Sequence, residues 1–157
     1  MNNNKDHAGV YLPPPLIYIA IFLLAILIQN LVPLNKDFFY SSGATTIGLM
    51  LMLAGVVFNF PALRQFVKSK NTLVTVKPAH SLQTTGIYSV SRNPMYVSLL
   101  LFYAGLSFLI GNWWNLILSP LLVWVVQSYV IKREEKYLER RFGQAYLDYK
   151  SKVRRWI

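Results

Sequence analysis

A short polar stretch, Ser-Arg-Asn-Pro at residues 91–94, stands immediately before a long apolar run. Pro94 suits the first turn of a helix and Asn93 suits its N-cap, so the stretch predicts a helix start. The free N–H groups there carry partial positive charge, and Arg92 adds a full one. The start is therefore expected to hold a carboxylate or a phosphate. If the stretch only begins a helix, Arg92 would instead reach a lipid phosphate.

Two adjacent acids, Glu134 and Glu135, follow the last apolar run. Neighbouring residues on a helix point about 100° apart, so at least one of the two is expected to face the protein interior. A carboxylate there would accept hydrogen bonds from an ammonium or from hydroxyl groups. The simpler alternative is a solvated charged face, on which the acids pair with neighbours such as Lys132.

The composition excludes several kinds of site. The chain has no cysteine and only two histidines, His7 and His80, which excludes disulfides, thiolate metal sites and a cysteine nucleophile. No metal site is predicted, because a multi-histidine cage needs more ligands. The net charge of +10 lies at the ends of apolar runs, which indicates contact with anionic lipid and no nucleic acid.

Four apolar runs, at residues 16–34, 44–63, 95–110 and 113–131, account for a composition that is 54% hydrophobic and 14% charged. A soluble domain carries about 25% charged residues, and a membrane span needs roughly 17–25 residues. The sequence therefore predicts an all-α integral membrane protein, a single domain of 157 residues with about four transmembrane helices. A buried soluble bundle is the alternative. The short connection after the third run predicts that the last two helices form a hairpin.

Basic residues predict the orientation. Four spans place the N-terminus, residues 64–92 and the tail on one side, with all but one of the 16 basic residues. By the positive-inside rule both termini are expected to be cytoplasmic, and no secretory signal peptide is evident. Residues 72–76 predict extended backbone in an ordered cytoplasmic loop, and Gly86 predicts a turn.

The tail predicts a basic amphipathic helix that can lie on the membrane surface. Its apolar stripe recurs at steps of three or four, and Gly143 is expected to interrupt it, which would leave two short helices. The stripe consists of Leu138, Phe142, Tyr146, Tyr149, Val153 and Trp156.

An antiparallel hairpin would bring the start of the third helix and the end of the fourth to the same rim. Arg92, Asn93 and Tyr96 would then lie near Glu134 and Glu135. In this order and spacing, the elements "GIYSVSRNPMY" and "EEKYLERRFGQAYLDYKSKVRRW" resemble the integral-membrane methyltransferases. These include the isoprenylcysteine carboxyl methyltransferases and the phospholipid N-methyltransferases, and the resemblance covers residues 72–156.

The resemblance implies methyl transfer from S-adenosylmethionine to a lipidic or membrane-partitioned acceptor, a lipid or a lipidated molecule with a carboxyl or amine group. It implies a cofactor-binding half at residues 72–156, with Arg92 and Glu135 as the catalytic candidates. The chain departs from the family at Asn93, where histidine is more usual and where asparagine cannot take a proton near neutral pH. The implied cofactor-binding residues are Gly86, Tyr88, Arg92, Asn93, Pro94, Tyr96, Glu134, Glu135 and Leu138.

Two other functions stay open at this point. Membrane sterol reductases, which bind NADPH, share a similar C-terminal arrangement, and an Arg-x-Pro-x-Tyr element alone does not separate the two enzyme classes. A non-catalytic membrane protein is the third reading, and the asparagine at position 93 is its best support. The sequence identifies neither the acceptor nor the oligomeric state.

Overall fold

The structure, a computed structural model, describes residues 7–69 and 78–157, and within those two ranges its regular secondary structure is entirely helical. Short 3₁₀ helices cover Asp37–Tyr40 and Gly86–Ser89, and a π-helical segment, Val126–Ile131, joins the fourth helix to the fifth. The all-α prediction is confirmed, whereas the extended backbone predicted for residues 72–76 lies outside the described residues. The α-helices are α1 (Pro14–Leu31), α2 (Ser42–Lys68), α3 (Pro94–Ile110), α4 (Trp113–Val125), α5 (Lys132–Phe142) and α6 (Gln144–Lys152).

Local sequence explains where the helices begin and end. Ser41 Oγ accepts the Ala44 N–H at 3.1 Å at the start of α2, and Asn112 Oδ1 accepts the Trp114 N–H at 2.9 Å at the start of α4. These side chains satisfy N–H groups that have no partner within the helix. Gly111, at φ 72°, ends α3 in the left-handed conformation that glycine adopts without strain. The tight turn predicted between the last two apolar helices is present.

The bundle is held together by two main helix pairs. α3 packs most extensively against α2, and α4 packs most extensively against α1. Glycine makes the first pair possible, because a Cβ on Gly105 would lie 2.8 Å from the Gly48 carbonyl oxygen. The core between α1, α3 and α4 contains Tyr18, Tyr103 and Leu122, all of which are buried. Each helix of the predicted hairpin therefore has its larger interface with an earlier helix.

Three helices are long and apolar enough to cross a membrane by length and composition: α1, α2 and the continuous helix Trp113–Phe142. α3 is also apolar but, at 17 residues, shorter. Large apolar side chains on the outer faces of these helices are exposed, as a lipid-facing surface requires. Examples are Leu23, Leu27, Leu53, Val57 and Trp124.

The tail forms two helices, because Gly143, at φ 53°, ends α5 and precedes α6. Within the predicted apolar stripe, Tyr146 and Tyr149 are buried and Trp156 packs against the core. The two tyrosines of this face therefore pack within the protein. Exposed basic side chains, among them Lys136 and Lys152, occupy the outer faces.

Candidate functional site

A cavity of about 380 Å³ lies at the end of the bundle where α3 begins and α5 follows the π segment. Its size falls in the range of small-molecule sites, about 300–1,000 Å³. The polar stretch before α3 and the acidic pair after the last apolar run meet at this cavity. Of the nine residues named from the sequence, Gly86 is not in its lining. The eight that line it are Tyr88, Arg92, Asn93, Pro94, Tyr96, Glu134, Glu135 and Leu138.

Gly86 shapes the loop that brings Tyr88 to the cavity. Its φ is +59°, and a Cβ there would lie 2.9 Å from Gln65 Oε1, whose amide nitrogen donates to Thr85 Oγ1 at 3.1 Å. The 3₁₀ turn that follows buries Tyr88, and the Tyr149 hydroxyl donates to the Tyr88 carbonyl oxygen at 2.6 Å. Burial raises the pKa of the Tyr88 hydroxyl, which therefore stays protonated. That hydroxyl has no hydrogen-bond partner in the part of the chain that the structure describes.

Arg92 is the buried cation of the site, with 8% of its side chain exposed. Its Nη2 lies 3.0 Å from Glu135 Oε1, whereas Nε and Nη1 have no partner among residues 7–69 and 78–157. Buried donors are almost always paired in folded proteins, so two unpaired nitrogens on one guanidinium indicate a missing acceptor. The backbone N–H of Arg92 donates to the Arg154 carbonyl oxygen at 3.0 Å, which fixes the residue against the C-terminal segment.

The two acids of the pair have different surroundings. Glu135 accepts from Arg92 and also from Arg155, whose Nε and Nη2 lie 2.9 and 2.8 Å from its two oxygens. The hydrogen bonds to Glu135 raise the pKa of Arg155. Glu134 accepts the Tyr96 hydroxyl at 2.8 Å. Glu135 is therefore already bound by two guanidinium groups, which leaves Glu134 as the acid that is better placed to meet a ligand.

Asn93 stands at the N-cap of α3, as the sequence predicts, but its side chain makes no capping hydrogen bond. Its amide nitrogen instead donates to the Arg155 carbonyl oxygen at 2.9 Å. The predicted N-cap position of Asn93 is thus confirmed, and its side chain holds the C-terminal segment. Pro94 begins α3 directly after it, where the missing N–H costs nothing.

Part of the cavity lining, the apolar wall, comes mainly from α1 and α2, to which the sequence assigned no site residue. Leu63 and Phe66 of α2 lie there with Pro15 at the start of α1 and Leu99 of α3. Asn59, one turn earlier on α2, donates to Ser98 Oγ at 2.9 Å and joins this wall to α3. Such a wall favours contact with hydrocarbon over contact with water.

Sequence reasoning also missed Arg155, Tyr146 and Tyr149. Their only signal was membership of a basic, aromatic-rich tail, and nothing local relates them to residues about sixty positions earlier. Tyr137 also lines the cavity, and its hydroxyl accepts the Ala79 N–H at 2.8 Å.

The sequence pattern of the phospholipid methyltransferase family matches residues 44–145, well over half of the chain. The chain belongs to this family. All nine residues named from the sequence fall within the part that matches the phospholipid methyltransferase family, whereas Arg155 lies beyond it. The resemblance to membrane methyltransferases is thereby confirmed.

Several curated relatives carry the name protein-S-isoprenylcysteine O-methyltransferase. The one from Saccharomyces cerevisiae is 30% identical over 98% of this chain and 63% of its own length. The one from Schizosaccharomyces pombe is 39% identical over 47% of this chain and 31% of its own. The one from Xenopus laevis is 34% identical over 69% of this chain and 38% of its own length. This family member thus spans less than two thirds of the length of those relatives, and no solved structure matches it significantly.

Proposed function

We propose that this protein transfers a methyl group from S-adenosylmethionine to a lipidic or membrane-partitioned acceptor that carries a carboxyl or amine group. Family membership supports the reaction class. One observation carries the proposal: Arg92 and Tyr88 both line the cavity, and Arg92 Nε, Arg92 Nη1 and the Tyr88 hydroxyl have no partner among the described residues. Three unused donors on two lining residues suit an anionic group such as a carboxylate.

The polar lining suits the amino-acid part of the cofactor. Arg92 would donate to its carboxylate, with the Tyr88 hydroxyl as a further donor. Glu134, held by the Tyr96 hydroxyl, would accept from its ammonium group or from ribose hydroxyls. When bound, S-adenosylmethionine supplies a methyl group on a positively charged sulfur. The rings of Tyr88 and Tyr96 would stabilise that charge by cation–π contact.

The apolar wall suits the acceptor. Leu63, Phe66 and Leu99 would hold a hydrocarbon chain and exclude water from the reacting atoms, and alignment of those atoms is the main requirement for methyl transfer. A carboxylate acceptor needs no base, whereas an amine must first be neutral. Because Asn93 is not a base, and because the relatives are named for isoprenylcysteine, a carboxylate acceptor is favoured over an amine.

For the membrane arrangement we propose four spans, with α3 as the fourth. α3 is as apolar as α1 and is joined to α4 by the two-residue turn at Gly111 and Asn112. Four spans place the cavity and the basic tail on the side of the N-terminus. The positive-inside rule then makes this side cytoplasmic, so the cofactor would enter from the cytoplasm and the acceptor laterally from the bilayer.

The first experiment is binding to the purified protein in lipid nanodiscs by isothermal titration calorimetry. S-adenosylhomocysteine is expected to bind and NADPH is not. Binding of NADPH alone would contradict the proposal and favour the reductase alternative, and binding of neither would favour a non-catalytic protein.

The second experiment identifies the acceptor. The protein is incubated with methyl-labelled cofactor and either a prenylated cysteine with a free carboxylate or phosphatidylethanolamine. Alkali releases label from a methyl ester but not from a methylamine. Alkali-labile label on the prenylated cysteine is expected, and alkali-stable label on phosphatidylethanolamine would shift the assignment to an amine.

A further inference from the structure

Residues 154–156 return to the start of α3 and hold it by their backbone. The Arg154 carbonyl oxygen accepts the Arg92 N–H at 3.0 Å, and the Arg155 carbonyl oxygen accepts the Asn93 amide at 2.9 Å. Trp156 anchors the far end of the segment, because its Nε1–H donates to Gln127 Oε1 in the π segment at 3.0 Å. The segment is thus tied to two elements that line or border the cavity.

The Arg155 side chain contacts both carboxylate oxygens of Glu135. Its Nη2 lies 2.8 Å from Oε2 and its Nε 2.9 Å from Oε1, while Arg92 Nη2 reaches only Oε1, at 3.0 Å. Arginine and carboxylate favour a two-point contact when both oxygens are free. Because Arg155 makes the two-point contact, Glu135 is left with a one-point contact to Arg92.

The contacts of Glu135 with two arginines determine the charge beside the cavity. The carboxylate of Glu135 is 9% exposed and is shared by two cations, so the cluster keeps a net positive charge beside the cavity. Arg92 is held in place, and its Nε and Nη1 keep no partner among the described residues. Arg155 itself is absent from the cavity lining and acts only through Glu135.

We propose that residues 154–156 form a C-terminal brace in which Arg155 is a positioning residue: it holds Glu135 so that Arg92 keeps free N–H groups for the anionic part of the ligand. The proposal rests on the proposed function, since the ligand is taken to be the carboxylate-bearing cofactor. It extends the site beyond residue 145, where the family match ends. Asn93 contributes an amide that fastens the brace.

The test begins with titration of S-adenosylhomocysteine into the unaltered full-length protein in nanodiscs. No binding there would overturn the proposed function itself, and with it this proposal. If it binds, Arg155→Gln is compared with Arg155→Lys and with Lys152→Ala, an exposed cation in the last turn of α6. The binding stoichiometry reports the folded fraction of each variant, so a loss of folded protein is separated from a loss of affinity.

Arg155→Gln is expected to weaken binding by about tenfold or more, because one partner of a buried ion pair is lost. The affinity of Arg155→Lys should fall between those of Arg155→Gln and the unaltered protein. Lysine keeps the positive charge but cannot make the two-point contact of a guanidinium group. Lys152→Ala should bind like the unaltered protein. Equal affinity in all three variants would overturn the proposal, as would a loss in Lys152→Ala as large as that in Arg155→Gln.

A double-mutant cycle separates positioning through Glu135 from a general structural role. In a Glu135→Gln background, Arg155→Gln should weaken binding by less than about twofold further, because residues that act through one another give non-additive effects. Fully additive losses would mean that Arg155 acts independently of Glu135, and the proposal would fail.

Discussion

At the residue scale, the site is defined by side chains whose hydrogen-bonding capacity the protein itself does not use. Arg92 is buried, pays part of its desolvation cost through Glu135, and keeps two nitrogens without a partner among the described residues. An unpaired buried donor costs about 1–3 kcal/mol, and more when it is charged. A protein retains such a destabilising group where a bound ligand supplies the missing acceptor.

Arg92→Gln is expected to weaken S-adenosylhomocysteine binding by about 100-fold, because charged hydrogen bonds contribute roughly 1.5–3 kcal/mol each. Calorimetric titration in nanodiscs measures the change. Arg64→Gln, which removes an exposed cation near the end of α2, is the matched control and should bind normally. Equal losses in both variants would point to a general charge effect and not to a contact of Arg92.

Tyr88→Phe is expected to lower affinity by about tenfold while leaving the melting temperature unchanged or slightly higher, because its hydroxyl has no described partner to lose. Tyr149→Phe should instead lower the free energy of unfolding by about 1 kcal/mol, since it removes a hydrogen bond to the Tyr88 carbonyl oxygen. Burial raises the pKa of Tyr149 to about 12, so the hydroxyl is a donor at neutral pH. Thermal unfolding in nanodiscs, with and without ligand, measures both. If Tyr88→Phe were less stable but bound S-adenosylhomocysteine normally, the Tyr88 hydroxyl would not be a donor to the ligand.

At the element scale, α2 and α3 approach closely and both contribute apolar residues to the cavity lining. Gly48 and Gly105 allow this approach, because a Cβ at Gly105 would lie 2.8 Å from the Gly48 carbonyl oxygen and 2.9 Å from Met52 Cγ. Asn59 and Ser98 join the same two helices nearer the cavity, with a hydrogen bond of 2.9 Å. The packing of α2 against α3 therefore positions the apolar wall that we propose for the acceptor.

Gly105→Ala is expected to destabilise the protein by about 1–3 kcal/mol, because its Cβ would lie 2.8 Å from the Gly48 carbonyl oxygen. Gly43→Ala, an exposed helix position at which the nearest atom is 3.9 Å away, should stabilise it by about 0.5–1 kcal/mol. Thermal unfolding in nanodiscs reports both changes. If the two variants changed the stability by the same amount, the contact between α2 and α3 would be looser than these distances indicate.

At the scale of the whole molecule, charge and apolar surface occupy separate regions. The exposed apolar faces of α1, α2 and α4 form a belt, and the basic residues lie mostly beyond the ends of the spans. The cavity lies at the end of the bundle from which the basic tail extends. In the proposed four-span arrangement it would border both water and lipid, so a polar cofactor and an apolar acceptor would reach it by different routes.

Orientation can be measured directly because the chain has no cysteine. In sealed vesicles, Thr84→Cys and Ser151→Cys, both exposed, are expected to be labelled from the same side, since α3 and α4 separate them. Tyr40→Cys, which is 81% exposed before α2, should be labelled only from the other side. Labelling of Tyr40→Cys and Ser151→Cys from one side would contradict the four-span arrangement.

Much of the fold follows from short-range features. Uncharged apolar runs and the residues at their ends predict α1, α2 and α4 to within a few positions, and Gly143 correctly predicts the break in the tail. Two details did not follow from local sequence. The side chain of Asn93 bonds to the C-terminal segment, and Tyr146 and Tyr149 of the tail's apolar stripe are buried within the protein, because segments distant in sequence supply their partners.

The sequence by itself determined the helical, lipid-facing character of the chain and the two polar motifs, because hydropathy and helix-start signals are read over one or two turns. Only the tertiary structure decided that Glu134 accepts the Tyr96 hydroxyl while Glu135 is held between two arginines. It alone brought Arg155 to Glu135, and it alone brought Leu63 and Phe66 of α2 to the cavity. The physical reason is that local propensity acts between neighbours in sequence, whereas hydrogen-bond partners and close packing are selected among residues that meet only after the chain has folded.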